Sequence, residues 1–174
     1  MSAVVMSLAL FAALVLEQVW PAGFLTGFAR PPFLALVVAY YALNHSLPAM
    51  LAAALLGGFA GDCIGALPPG VTTLATAAAG AALFFSRETV FGGKFMANVF
   101  CGAAAGAGVT LVTFALLFLS GRAFYSVQAP VLLLKLSASV CYGALFFPVV
   151  YALMKKLEVL TGVVAIQNDV NPDN

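Results

Sequence analysis

Residues Gly57–Gly70 read GGFAGDCIGALPPG, and the reading of Asp62 within them decides the fold. Asp62 is one of only six acidic residues in a chain that is 64% hydrophobic. Glycines precede it, a Leu-Pro-Pro-Gly turn follows it, and long apolar runs flank both. An isolated carboxylate between two such runs is read as the lip of a helical hairpin in a lipid bilayer, with Pro68, Pro69 and Gly70 as its turn. The composition demands such a setting. Charged residues make up 7% of the chain, against roughly 25% in a soluble globular domain, so much of the exterior must face hydrocarbon.

Working outward, the hairpin consists of a span at 48–62 and another at 71–86. Gly57 and Gly61 share a helix face, a small-residue spacing that lets another helix approach closely. The following span is rich in Ala and Thr, which predicts burial against neighbours. Before the hairpin, Pro32 suits a first helical turn and opens a span to Leu43, closed by Asn44-His45-Ser46. The first span covers 2–20, with Trp20 at the interface. It lacks the basic start and small-residue cleavage site of a signal peptide, and is read as retained. Spans at 95–119 and 131–154 complete six. The spans at 32–43 and 48–62 are short for a bilayer about 30 Å thick, and a re-entrant pair that does not cross is the alternative. In the fifth span Gly102 and Gly106 repeat the four-residue spacing, and this small half is expected to pack on the fourth or third span. Residues 1–160 form a single all-α six-helix transmembrane domain in this reading, and 161–174 a polar cytoplasmic tail.

With six spans the termini share a side. Loops on that side carry Arg87, Lys94, Lys155 and Lys156, whereas the other side carries Arg30 and Arg122. The excess of Lys and Arg places both termini in the cytoplasm. Glu17, Asp62 and Lys135 then fall in the extracytoplasmic half. Lys135 either pairs with Asp62 or Glu17 or extends its ammonium to the outer headgroups. Asp62 and Glu17 have the plainer reading of solvated helix ends, and a proton or cation path is a third.

Several chemistries find no support. A net charge of +1 with no basic run argues against nucleic acid. Cys63, Cys101 and Cys141 are scattered and His45 is the single histidine, so the spacing of a zinc site is lacking. The run GAAAGAG has no preceding strand and no following Lys-Ser or Lys-Thr, unlike a nucleotide-binding loop. No nucleophile and base can be assembled, and neither enzyme activity nor a cofactor is expected.

One family resemblance covers most of the chain. Arg30-Pro31 before the second span, Tyr40-Tyr41 within it, Gly57-Gly58 and Gly61-Asp62 in the third, and Pro68-Pro69-Gly70 after it resemble the rod shape-determining protein MreD family. The sixth span, VLLLKLSASVCYGALFFPVVYALMKK, is similar in its early basic residue, small middle, Phe-Pro and basic end. The chain departs in having Pro32-Phe33 where the family often has an acidic residue, and Pro-Pro-Gly for Pro-Leu-Gly. The resemblance implies a non-enzymatic inner-membrane component of the bacterial elongation machinery. Its partner would be MreC, with MreB filaments, RodA and its transpeptidase in the same complex. The family also looks like the substrate-binding subunits of energy-coupling-factor transporters, which implies that six-helix fold and keeps a vitamin-binding subunit as the alternative.

Overall fold

A computed structural model describes residues 3–20, 30–65, 68–90, 95–120 and 129–160. These form six α-helices and, among the described residues, no strand: α1 (Ala3–Val19), α2 (Phe33–Asn44), α3 (Leu47–Ile64), α4 (Val71–Val90), α5 (Phe95–Leu119) and α6 (Ala129–Leu160). Three of them, α3, α5 and α6, are long and apolar enough to cross a membrane; α1, α2 and the stretch Val71–Arg87 of α4 are shorter apolar segments. Lys94, Arg122 and the tail at 161–174 lie outside the described residues.

Helix α2 is the axis of the bundle. Its sequence, FLALVVAYYALN, is apolar on every side, so no face is marked for solvent. Every residue from Phe33 to Leu43 is buried, and the helix touches all five others. Its 12 residues span only about 18 Å at 1.5 Å per residue, well short of the hydrocarbon thickness. Its neighbours α3, α5 and α6 supply the length that α2 lacks.

The outer helices turn apolar residues both inward and outward. On α1, Met6, Ala9, Leu10 and Ala13 join the core, while Val4, Leu8, Phe11 and Val19 are exposed. On α6, Leu133, Leu145, Val149 and Leu153 are likewise exposed. A water-soluble monomer rarely exposes contiguous apolar area on this scale. Aqueous burial therefore does not explain the surface, whereas a hydrocarbon surround does.

Small residues set the closest approaches. On α5 and α6, a Cβ added to Gly102 would meet the carbonyl of Gly143, one added to Gly106 would meet the carbonyl of Ser139, and one added to Gly143 would meet Gly102. The pairs 102 with 143 and 106 with 139 define an antiparallel seam, and Ser139 Oγ donates across it to the Gly106 carbonyl at 2.9 Å. The small half does pack on the fourth span, where Gly108 meets Ala79 of α4, but Gly102 and Gly106 themselves face α6. The reason is reciprocity. Ser139 and Gly143 repeat the same four-residue step on α6, so two small stripes meet and both backbones come close.

In the first hairpin the close approach falls one residue from the expected pair. An added Cβ at Gly58 would run into the Thr73 backbone, whereas at Gly57 and Gly61 it would meet only side-chain atoms, Leu10 Cδ2 at 2.9 Å and Thr72 Cγ2 at 3.3 Å. Gly57 faces α1 and α2, and Gly61 faces α4.

Candidate functional site

Among the described residues, Glu17, Arg30 and Asp62 lie toward one end of α2, and His45, Arg87 and Glu158 lie at the other. At one end lie the α1–α2 and α3–α4 junctions. Gly70, with φ of +93°, occupies the left-handed backbone region open to glycine. Pro69 and Gly70 are the central residues of a turn closed by Val71 N–H donating to the Pro68 carbonyl at 3.2 Å, the pattern of a type II turn. Gly70 is also the N-cap of α4, since its carbonyl accepts from Leu74 N–H, yet it has no side chain to satisfy the exposed N–H groups that follow.

Asp62 supplies what Gly70 lacks. Its carboxylate accepts from Thr72 N–H at 2.9 Å, Thr73 N–H at 3.2 Å, Thr73 Oγ at 2.6 Å and Gly70 N–H at 2.9 Å. The α4 N-terminus thereby gains an acceptor and a negative charge where its dipole favours one. Glu17 does the same for α2 on a smaller scale. Pro32, the α2 N-cap, has no side-chain acceptor, and Glu17 Oε2 accepts from Leu34 N–H at 3.3 Å.

Lys135 is elsewhere. No ion pair joins it to Asp62 or Glu17; its ammonium lies 6.0 Å from the centre of the Phe114 ring. Trp20, one turn beyond Glu17, packs against Phe33 and Phe146, and Phe146 is roughly three turns, about 16 Å, along α6 from Lys135. The proposed cluster of Glu17, Asp62 and Lys135 therefore does not assemble. Each carboxylate has a helix N-terminus nearer than the amine. Beside Glu17, a recess of about 220 Å³ is lined by Gln18, Arg30, Leu34, Gly61 and Thr72 among others, and Arg30 donates to Gln18 Oε1 at 2.6 Å.

The opposite end holds a polar knot that the sequence reading missed. Glu158 of α6 is only 6% exposed. It accepts from Tyr40 Oη at 2.8 Å and lies 2.7 Å from His45 Nε2. Tyr151 Oη donates to Asn44 Oδ1 at 3.1 Å, and Arg87 donates to the His45 carbonyl at 3.3 Å while lying over Phe84. Arg87 thus places a cation at the C-terminal end of α2, the end that favours it. Tyr41 is fully buried, and its hydroxyl has no hydrogen-bond partner. Glu158 and His45 are more than 100 residues apart, so no local motif announces their pairing. The one available signal was a lone Glu following Lys155-Lys156 in an apolar helix.

The carboxylates Glu17, Asp62 and Glu158 each bind the chain's own backbone or side chains. As arranged, they tie α1 to α2, α3 to α4, and α6 to α2. Set against known proteins, the chain matches no family model, no curated protein and no solved structure.

Proposed function

We propose that this chain is a six-span inner-membrane scaffold without catalytic activity, with both termini cytoplasmic, of the kind that the MreD resemblance implies. It would hold MreC and so connect cytoplasmic MreB filaments to RodA and its transpeptidase, with an effect on cell shape. One observation carries the reading. The described carboxylates Glu17, Asp62 and Glu158 are taken up in joining the chain's own helices, while many large apolar side chains of the outer helices are exposed. A rigid bundle with that surface has helices and lipid as its natural neighbours. The sidedness rests on Arg87, Lys155 and Lys156 lying at one end, as positive-inside bias requires of the cytoplasmic face.

The recess beside Glu17 and Arg30 favours a second reading, a small-molecule binding subunit of a vitamin importer. Capture from native membranes followed by mass spectrometry separates the two. The scaffold reading expects MreC to copurify and no small molecule to be retained. Copurification of an ATPase pair, with a tightly held ligand, would replace it by the importer reading.

A further inference from the structure

A third feature lies on the outer face of α5 and α6 and runs to the end that holds Arg87 and Glu158. Along α6, Ala144, Pro148 and Ala152 occupy one i, i+4 row, which ends at Lys156. The adjacent row, Cys141, Leu145, Val149 and Leu153, stands taller. Side chains four apart lie one above another on a helix, so a row of small residues beside a row of large ones makes a furrow. Val99 of α5 borders its other side, and the furrow is a shallow groove of about 970 Å³, open along its length. Leu145, Val149 and Leu153 are exposed along it. Pro148 adds to the hollow: it has no N–H to give to the Ala144 carbonyl, and both residues line the furrow.

The furrow is apolar until its last residue, and that residue is a cation. From Cys141 to Lys156 it runs about 22 Å at 1.5 Å per residue, which is one leaflet's hydrocarbon depth of roughly 15 Å plus the headgroup layer. Lys155 and Lys156 are both exposed at the rim, at the same end as Arg87. An occupant matched to this shape carries a long flexible apolar body and an anionic head.

The geometry points to a bound anionic phospholipid, its acyl chain lying along Ala144, Pro148 and Ala152 and its phosphate on the Lys156 ammonium. Basic residues at the membrane surface recognise anionic headgroups in this way, with about 1 kcal/mol for each. The site goes beyond the scaffold reading and rests only on the chain's place in a bilayer. It would give the bundle a lipid-dependent face on the α5–α6 side.

Native mass spectrometry of the detergent-purified full chain tests this, with phosphatidylglycerol and phosphatidylcholine offered in equal amounts. Wild type is expected to retain phosphatidylglycerol about five-fold over phosphatidylcholine, the ratio that ~1 kcal/mol gives. Lys156→Gln should bring the two lipids to near parity, and Ala152→Phe, which fills the furrow from an exposed position, should abolish retention of both. Lys155→Gln, off the furrow row, should keep more than half of the preference. An unchanged preference in Lys156→Gln would overturn the proposal, as would undiminished retention in Ala152→Phe. A wild-type dimer that Ala152→Phe dissociates would also overturn it, by giving the furrow to a second copy of the chain.

Discussion

At the scale of single residues, Asp62 shows how a side chain can be prominent in sequence and still have an unforeseen partner. Its isolation between apolar runs marked it as a helix end. Its acceptors' donors, the N–H groups of Gly70, Thr72 and Thr73, belong to a backbone whose direction no side-chain pattern specifies. Scarcity of charge points instead to Lys135, which lies by Phe114. Hydrogen bonds to a charged acceptor contribute about 1.5–3 kcal/mol, and several converge here. Asp62→Ala is therefore expected to lower unfolding stability by about 2–3 kcal/mol in a reversible detergent titration. Combining Asp62→Lys with Lys135→Asp should give no rescue, and substantial rescue in that double variant would restore the discarded ion pair. The adjacent tyrosines of α2 give a sharper contrast. Tyr40 donates to Glu158, whereas the Tyr41 hydroxyl is buried without a partner. Tyr40→Phe should destabilise by about 1 kcal/mol, and Tyr41→Phe should be neutral or stabilising by about 1 kcal/mol, since it removes an unsatisfied buried group. The same unfolding titration reads both, and equal losses would contradict the polar knot as described.

At the scale of elements, the positions of the helices were legible and their partners were not. Hydropathy marks where a helix runs, and Pro32, Pro48 and Pro68-Pro69-Gly70 mark where helices begin and turn. The structure extends α6 to Leu160 and α4 to Val90, a turn or so past the apolar runs, because Lys155, Lys156 and Ser86 do not stop a helix. The choice of neighbour depends on which small stripe meets which, and α5 offers two faces. Gly102 and Gly106 found a reciprocal stripe in Ser139 and Gly143; Gly108 found Ala79. Glycine spacing likewise located the α3–α4 contact to within one residue, while the backbone approach itself picks Gly58. The four glycines Gly58, Gly102, Gly106 and Gly143 should then behave alike. Substitution by Ala at each is expected to cost about 1–3 kcal/mol, because a backbone atom must move. Gly57→Ala displaces only the ends of Leu10 and Leu34 side chains and should cost well under 1 kcal/mol. A flat response across these five sites in thermal melts of the solubilised protein would argue against the seams.

At the scale of the whole molecule, the composition forced an apolar exterior, and the structure arranges one around α2. What the sequence left hidden is that the shortest helix is the central one. An all-apolar 12-residue segment reads equally as a short span, half of a re-entrant pair or a buried core, since periodicity is silent where every side is apolar. In the proposed topology α2 and α3 each cross the bilayer, so that Arg30 and Pro69 share one side and Ser46 lies on the other. All three are exposed, which makes them suitable for site-specific labelling. In a variant with Cys63, Cys101 and Cys141 replaced, single cysteines at these three positions would be treated in intact cells with a membrane-impermeant maleimide. Arg30→Cys and Pro69→Cys are expected to label from outside, and Ser46→Cys only after the membrane is opened; labelling of Ser46→Cys from the same side as the other two would show that the pair turns back without crossing, and would contradict the account.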